Sequence, residues 1–229
     1  MIEHDKQSGI TMVELLISIS IFVFIAAIVI YGFVDSRKHS DLRLAADSLV
    51  SNIRQMQSYA ITGRQVNGAT PNGFGLSINM GDQAGYTLYA DDRYYSQTSG
   101  NCLIGAGQMP NQRYDGFIAV SNCLEDLVDA GEIVLPGSVK IDKIYLNNDL
   151  MTNTIVDLNF VVPEGTLHAR FGKEEEYFDR ANTSYQTQQP LNVNVEICLL
   201  QTNINLYRKI TILGSSGQIN VGSTVSSCP

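Results

Sequence analysis

Few residues in this 229-residue chain have the type and spacing for chemistry. The first is Glu14, the single formal charge in an apolar run over residues 10–34. A carboxylate at the edge of such a run is costly in lipid unless it is paired or reaches the interface. Gly9 directly precedes the run. A cut between Gly9 and Ile10 would leave a new α-amine, protonated near neutral pH, one helical turn from Glu14. Amine and carboxylate could then neutralise each other, within one chain or between chains packed side by side.

The second group is four cysteines, Cys102, Cys123, Cys198 and Cys228. None forms a CxxC pair, and His4, His39 and His168 are too widely spaced to complete a zinc pattern. Two disulfides in an oxidising compartment are the natural reading. Four cysteines allow three pairings; chain order favours Cys102 with Cys123 and Cys198 with Cys228, and buried free thiols are the plain alternative. The acidic pairs Asp91-Asp92 and Glu125-Asp126 lack the alternating ligand spacing of a calcium loop. His168 falls in a strand pattern and His39 just beyond the apolar run. No serine or cysteine is set in a motif that would hold a base against it, and no glycine-rich phosphate loop is followed by a lysine. The chain therefore reads as a non-enzyme with no cofactor and no metal site. Its net charge of -8, from 15 Lys and Arg against 23 Asp and Glu, disfavours generic nucleic-acid binding.

The element that must position Glu14 is a helix. Residues 15–34 carry no charge, and at about 1.5 Å per residue they make about 30 Å of helix, enough to cross a bilayer core. The run is longer than a secretory h-region and has no Ala-x-Ala site after it, so it is not an ordinary cleaved signal peptide. No proline occurs before Pro71, so nothing forces the helix to stop at the membrane face. Over residues 35–63, Leu42, Ala45, Leu49, Ile53, Met56 and Ala60 recur at threes and fours as one apolar stripe. Arg43, Asp47, Asn52, Arg54, Gln55 and Gln57 supply the polar remainder, and Gly63 is a C-terminal stop. The whole helix would run about 75 Å. That is too long for one compact domain, so it links membrane and soluble phases or lines a polymer core.

Residues 64–229 read as a β-rich domain. GFGLSI and YTLYAD flank a turn as an antiparallel hairpin. Residues 91–132 are the least regular, with a short helical turn over residues 123–128. TIVDLNFVVPEG and TLHARFG form a second hairpin, Glu174-Glu175-Glu176 a solvated turn, and NTSYQTQQP a polar connection. Leu191, Val193, Val195, Ile197 and Leu199 alternate strictly with polar neighbours, the mark of a strand with one buried face. INLYRKITIL and QINV flank Gly-Ser-Ser-Gly as a third hairpin. The fold class is α+β: one long N-terminal helix packed on a mainly antiparallel sheet domain.

Gly9-Ile10-Thr11-Met12-Val13-Glu14-Leu15-Leu16 resembles the class III signal of type IV pilins and pseudopilins. Ile10 replaces the usual first Phe, and Met12-Val13 the commonest Leu-Ile. The leader, residues 1–9, sets Lys6 against Glu3 and Asp5 where the family usually has net positive charge. Within the superfamily, LAADSLVSNIRQMQSYAITGRQV, GFGLSI with YTLYAD, and the closing ITILGSSGQINV are most similar to the GspH/FimT group of minor pseudopilins. The resemblance implies cleavage after Gly9 and methylation of Ile10 by a prepilin peptidase and methyltransferase. It gives Glu14 a role in registering subunits in a filament. The implied partners are other pilins or pseudopilins, an inner-membrane assembly platform, and membrane lipid before assembly.

The resemblance further implies a single pass of the inner membrane by residues 10–34, an amphipathic continuation over residues 35–63, and an extracytoplasmic domain from residue 64 onward. Arg37, Lys38 and Arg43 follow the span, and counting positive charge alone would leave the domain in the cytoplasm. The signal and the cysteines outweigh that count. The implied function is a minor pilin or pseudopilin of a type IV pilus or type II secretion-like filament. The alternatives are a major pilin of the shaft, a DNA-uptake pilin, and an anchored enzyme or receptor unconnected with filaments. A DNA-uptake pilin would need a basic patch, yet the last 40 residues carry only Arg208 and Lys209.

Overall fold

The computed structural model describes residues 11–66, 70–91, 93–96, 101–104, 126–152, 154–173, 193–214 and 216–228. Among the described residues one helix, α1 (Met12–Thr62), precedes twelve strands. These are β1 (Gly73–Asn79), β2 (Gly85–Asp91), β3 (Arg93–Ser96), β4 (Asn101–Ile104), β5 (Asp126–Val134) and β6 (Val139–Leu146). They continue with β7 (Asp149–Met151), β8 (Thr154–Val161), β9 (Thr166–Lys173), β10 (Val195–Gln201), β11 (Leu206–Leu213) and β12 (Gln218–Val225). The chain divides into two compact units, Met1–Ser40 and Asp41–Pro229, with the boundary inside α1.

In the first unit the helix is apolar and uncovered. Phe22, Phe24, Ile28, Val29 and Phe33 are all more than half exposed, and no residue of its most apolar window is buried by the fold. Ser18 and Ser20 donate to the carbonyls of Glu14 and Leu16, each at 2.8 Å, so their hydroxyls are satisfied within the helix.

In the second unit, α1 buries Leu42, Ala45, Ala46, Leu49, Val50, Ile53, Met56 and Ala60. The stripe adds Ala46 and Val50 to the positions that strict three-and-four spacing gives. The helix stops at Gly63, whose φ of 63° only glycine adopts cheaply. Its N–H donates to the Ala60 carbonyl at 3.3 Å, and that of Arg64 to Tyr59 at 3.1 Å. This is the paired Schellman closure of a helix end.

The sheets are antiparallel. One runs β5-β2-β1-β8-β9, the other β12-β11-β10-β6-β7, and β3-β4 pair as a separate ribbon. Phe74, Leu76 and Ile78 of β1, with Val156, Leu158 and Phe160 of β8, face the helix stripe from the first sheet. Ile141 and Ile144 of β6, Val195, Ile197 and Leu199 of β10, and Ile210 and Ile212 of β11 face it from the second. All belong to one apolar core. A polar tie crosses it: the Asn52 side-chain amide donates to the Tyr86 hydroxyl at 2.7 Å. Burial pushes the Tyr86 phenol above its ordinary value, and hydrogen bonds from Asn52 and Ser48 pull it back in part.

The back of the first sheet is close-packed and polar. Asn159 lies across Gly73 and Tyr89 across Gly75, places a β-carbon would occupy. The Asn159 amide donates to the Tyr89 hydroxyl at 3.4 Å.

Three hairpins read from sequence are present as β1-β2, β8-β9 and β11-β12. Two local expectations are corrected. Residues 126–128, read as part of a helical turn, open β5, because β2 pairs with them and sets Ala90 opposite Asp126. β10, read with one buried face, is buried on both, since Cys198, Leu200 and Gln201 are covered as well. The leader, the Gly9–Ile10 junction, Cys123, Leu191, the Glu174-Glu175-Glu176 run and the NTSYQTQQP stretch lie outside the described residues.

Candidate functional site

The candidate site begins at the first turn of α1. Thr11 caps it: its hydroxyl accepts from the Glu14 backbone N–H at 3.3 Å, and its carbonyl from Leu15 at 3.1 Å. Thr-x-x-Glu is the capping-box spacing, a signal legible in the sequence that a reading centred on Glu14 passes over. The cap fixes Glu14 at the third helical position, where a carboxylate also meets the positive end of the helix dipole. Glu14 is exposed, and around it Met12, Val13, Leu15, Leu16 and Ile17 are more than half exposed. One turn of helix thus offers an acid within an apolar surface that the fold itself does not bury.

Further along the first unit, Asp35 and His39 stand 3.9 Å apart at i,i+4, both about half exposed. In the second unit Arg43 and Asp47 stand 3.6 Å apart, both more than half exposed. Exposed pairs of this kind are worth at most about 1 kcal/mol. They decorate the helix and do not define a site.

The second candidate feature is the C-terminal strap. Cys198 on β10 and Cys228 after β12 are joined as a disulfide, with Cα atoms 6.3 Å apart. On the sheet, Cys198 lies opposite Lys143 of β6 and Lys209 of β11. Lys143 donates to the Cys228 carbonyl at 3.3 Å, and Lys209 pairs with Glu196 at 3.1 Å. The bridge therefore draws the tail over β11 onto the back of β10, which is what buries Cys198. Cys102 stands on β4 opposite Tyr95; its expected partner, Cys123, is outside the described residues.

The remaining sequence candidates are scattered. His168 is half-buried on β9, opposite Asn159. Asp91 is buried on β2, while Asp92 and Glu125 fall outside the described residues. Among the described residues no three of His, Cys, Asp and Glu are grouped as ligands for a metal ion. What the arrangement can do chemically is bring charge and apolar surface to another helix.

Residues 4–30 match the family model of the prokaryotic N-terminal methylation motif. No curated protein and no solved structure matches the chain. The matched stretch contains Gly9, Ile10 and Glu14. It implies processing by a prepilin peptidase and assembly with other pilins. With the long helix packed on antiparallel sheets, the motif supports a type IV pilin-like structural subunit anchored in a membrane by its N-terminal helix.

Proposed function

We propose that this chain is a non-catalytic subunit of a type IV pilus or type II secretion-like filament, of the minor kind that the GspH/FimT group represents. The observation that carries the reading is the methylation motif continuing into a helix whose apolar surface the fold leaves uncovered. In this reading the peptidase removes residues 1–9 and the Ile10 amine is methylated. The domain lies outside the cytoplasm, where the Cys198–Cys228 bridge persists.

Assembly moves the helix from lipid into a bundle of like helices. Both surroundings are apolar, so hydrophobic transfer contributes little, and helix packing and charge pairing supply the specificity. The Ile10 amine and the Glu14 carboxylate, buried together, favour a single register, because either one buried alone is costly. A chain that forms the shaft would use the same helix; abundance separates it from a minor subunit.

The test is intact and N-terminal mass spectrometry on filaments sheared from native cells, with Glu14→Ala beside the wild type. The expected wild-type chain starts at Ile10, carries a methyl group and is scarce relative to the other subunits. Glu14→Ala is expected to be inserted and cleaved yet poorly incorporated. A wild-type chain that starts at Met1 and stays in the membrane fraction refutes the proposal, and normal incorporation of the variant refutes the role of Glu14.

A further inference from the structure

Where α1 begins decides how one peptide bond is presented. The Thr11 hydroxyl accepts from the Glu14 N–H at 3.3 Å and its carbonyl from the Leu15 N–H at 3.1 Å, so the helix starts at Met12. The sequence holds a second start three residues earlier, at Ser8. Serine is an N-cap residue of much the same rank as threonine, and no proline separates Ser8 from Thr11. The bond between Gly9 and Ile10 stands ahead of a helix capped at Thr11. In a helix capped at Ser8, Gly9 and Ile10 would be the first two helical residues, and the Gly9 carbonyl would accept from the Val13 N–H. Two features favour the later start. Thr11 has Glu14 at the capping-box distance, where Ser8 has only Thr11. Gly9 is of the type that helices tolerate least after proline.

We propose that Thr11 is a positioning residue for leader removal: its cap keeps the Gly9–Ile10 bond out of the helix and within reach of a peptidase. The proposal rests on the reading that a prepilin peptidase removes residues 1–9. The family match across that bond, over residues 4–30, is an observation independent of the cap. Hydrolysis adds one water across the bond. The water oxygen joins the Gly9 carbonyl carbon and the C–N bond breaks. Gly9 leaves as a carboxylate, and both water protons pass to the Ile10 nitrogen, which becomes an ammonium group. In the earlier helix the attacked carbonyl is tied into the helix ladder, whereas an extended backbone offers its edges to a cleft as an added strand does. Thr11 touches none of the reacting atoms. It sets the fraction of chains in which they are accessible, and a smaller fraction raises the apparent KM with kcat unchanged.

The experiment is steady-state cleavage of the full-length chain in detergent by purified prepilin peptidase, read by N-terminal mass spectrometry, with amide hydrogen exchange on the uncleaved substrate. Thr11→Val keeps the shape and loses the cap; Thr11→Asn changes the shape and keeps the cap. All three side chains have similar propensity inside a helix, so none is favoured once the helix runs past it. Thr11→Val is expected to raise KM by up to about fivefold, the weight of one N-cap, at unchanged kcat. Its Met12 and Val13 amides are expected to exchange more slowly, since a helix begun at Ser8 supplies them with the Ser8 and Gly9 carbonyls. Thr11→Asn is expected to match the wild type on both readouts. Adding Ser8→Ala to Thr11→Val removes the competing start and is expected to return KM to within about twofold of the wild type. A Thr11→Val chain with wild-type KM and exchange overturns the proposal. So does a loss of kcat in both variants with exchange unchanged, which would make Thr11 a direct contact of the peptidase. A wild-type chain left uncleaved overturns the leader reading and this inference with it. A wild-type chain cleaved ahead of Ile10, with the two variants alike, overturns this inference alone.

Discussion

Removing the strap should cost a definite amount. The Cys198–Cys228 bridge closes a loop with a sequence separation of 30. On the chain-entropy account, a loop of that size withholds about 12 cal/mol/K from the unfolded chain, or about 3.6 kcal/mol at 25 °C. The 6.3 Å Cα separation lies within the range disulfides span without backbone movement. The unit it belongs to, Asp41–Pro229, has an unfolding entropy of about 0.4 kcal/mol/K, so the loss converts to a fall in Tm of about 9 °C. The assay is thermal and urea unfolding of the full-length chain in detergent, wild type against Cys198→Ser/Cys228→Ser, followed by circular dichroism because the chain has no tryptophan. The urea slope should rise as the midpoint falls, since the freed unfolded chain exposes more surface. Cys198→Ser alone should destabilise by about as much as the pair, because either variant loses the same bridge. A fall in Tm under about 3 °C, less than about 1.2 kcal/mol by the same conversion, would refute the reasoning. It would mean that Lys143 and the β11-β12 ladder already hold the tail as firmly as the bond does.

Other outcomes follow from single contacts. Tyr86→Phe leaves the Asn52 amide without its acceptor and should lower stability by about 1–2 kcal/mol in urea unfolding. The Tyr86 phenol is raised above 10.0 in the fold, so the stability it contributes is full below pH 10.0 and is lost as pH climbs past it; the phenylalanine variant should flatten that alkaline limb in a pH series. Gly75→Ala puts a methyl 2.5 Å from the Leu158 carbonyl and 2.7 Å from the Tyr89 ring, and should cost about 3 kcal/mol or more, read as lost soluble yield or a lower urea midpoint. Leu49→Ala, at a fully buried stripe position, should cost about 3–5 kcal/mol, while Arg54→Ala on the exposed face of the same helix should stay within about 0.5 kcal/mol.

What sequence exposes depends on the range of the interaction that decides each element. The helix stripe from Leu42 to Ala60 was legible because its period is a property of the helix alone. Ala46 and Val50 were not, because their burial comes from the shared core, whose strands are assembled from residues distant in sequence. Hairpins such as β8-β9 carry their register in a local turn. The pairing of β1 with β8 skips six strands and leaves no local mark. The misread stretch at residues 126–128 shows the same limit: Asp126-Leu127-Val128 is too short for periodicity to choose, and β2 chose. The candidate site divides likewise. Glu14 announces itself as a lone charge and Thr11 by capping-box spacing, while the burial of Cys198 depends on the tail folding back across β11.

The sharing of α1 between two sheets has a consequence for how the domain comes apart. Among the described residues no strand of one large sheet pairs with a strand of the other; both meet in the core around residues 42–60. The three turns whose glycines have positive φ at Gly137, Gly165 and Gly217 also close on this helix, against Asp41, Ile61 and Gln57. Neither sheet can shed the helix without stripping the other of its apolar cover. The domain should therefore lose both sheets in one cooperative step, and damage to a single helix side chain should loosen strands that never touch one another.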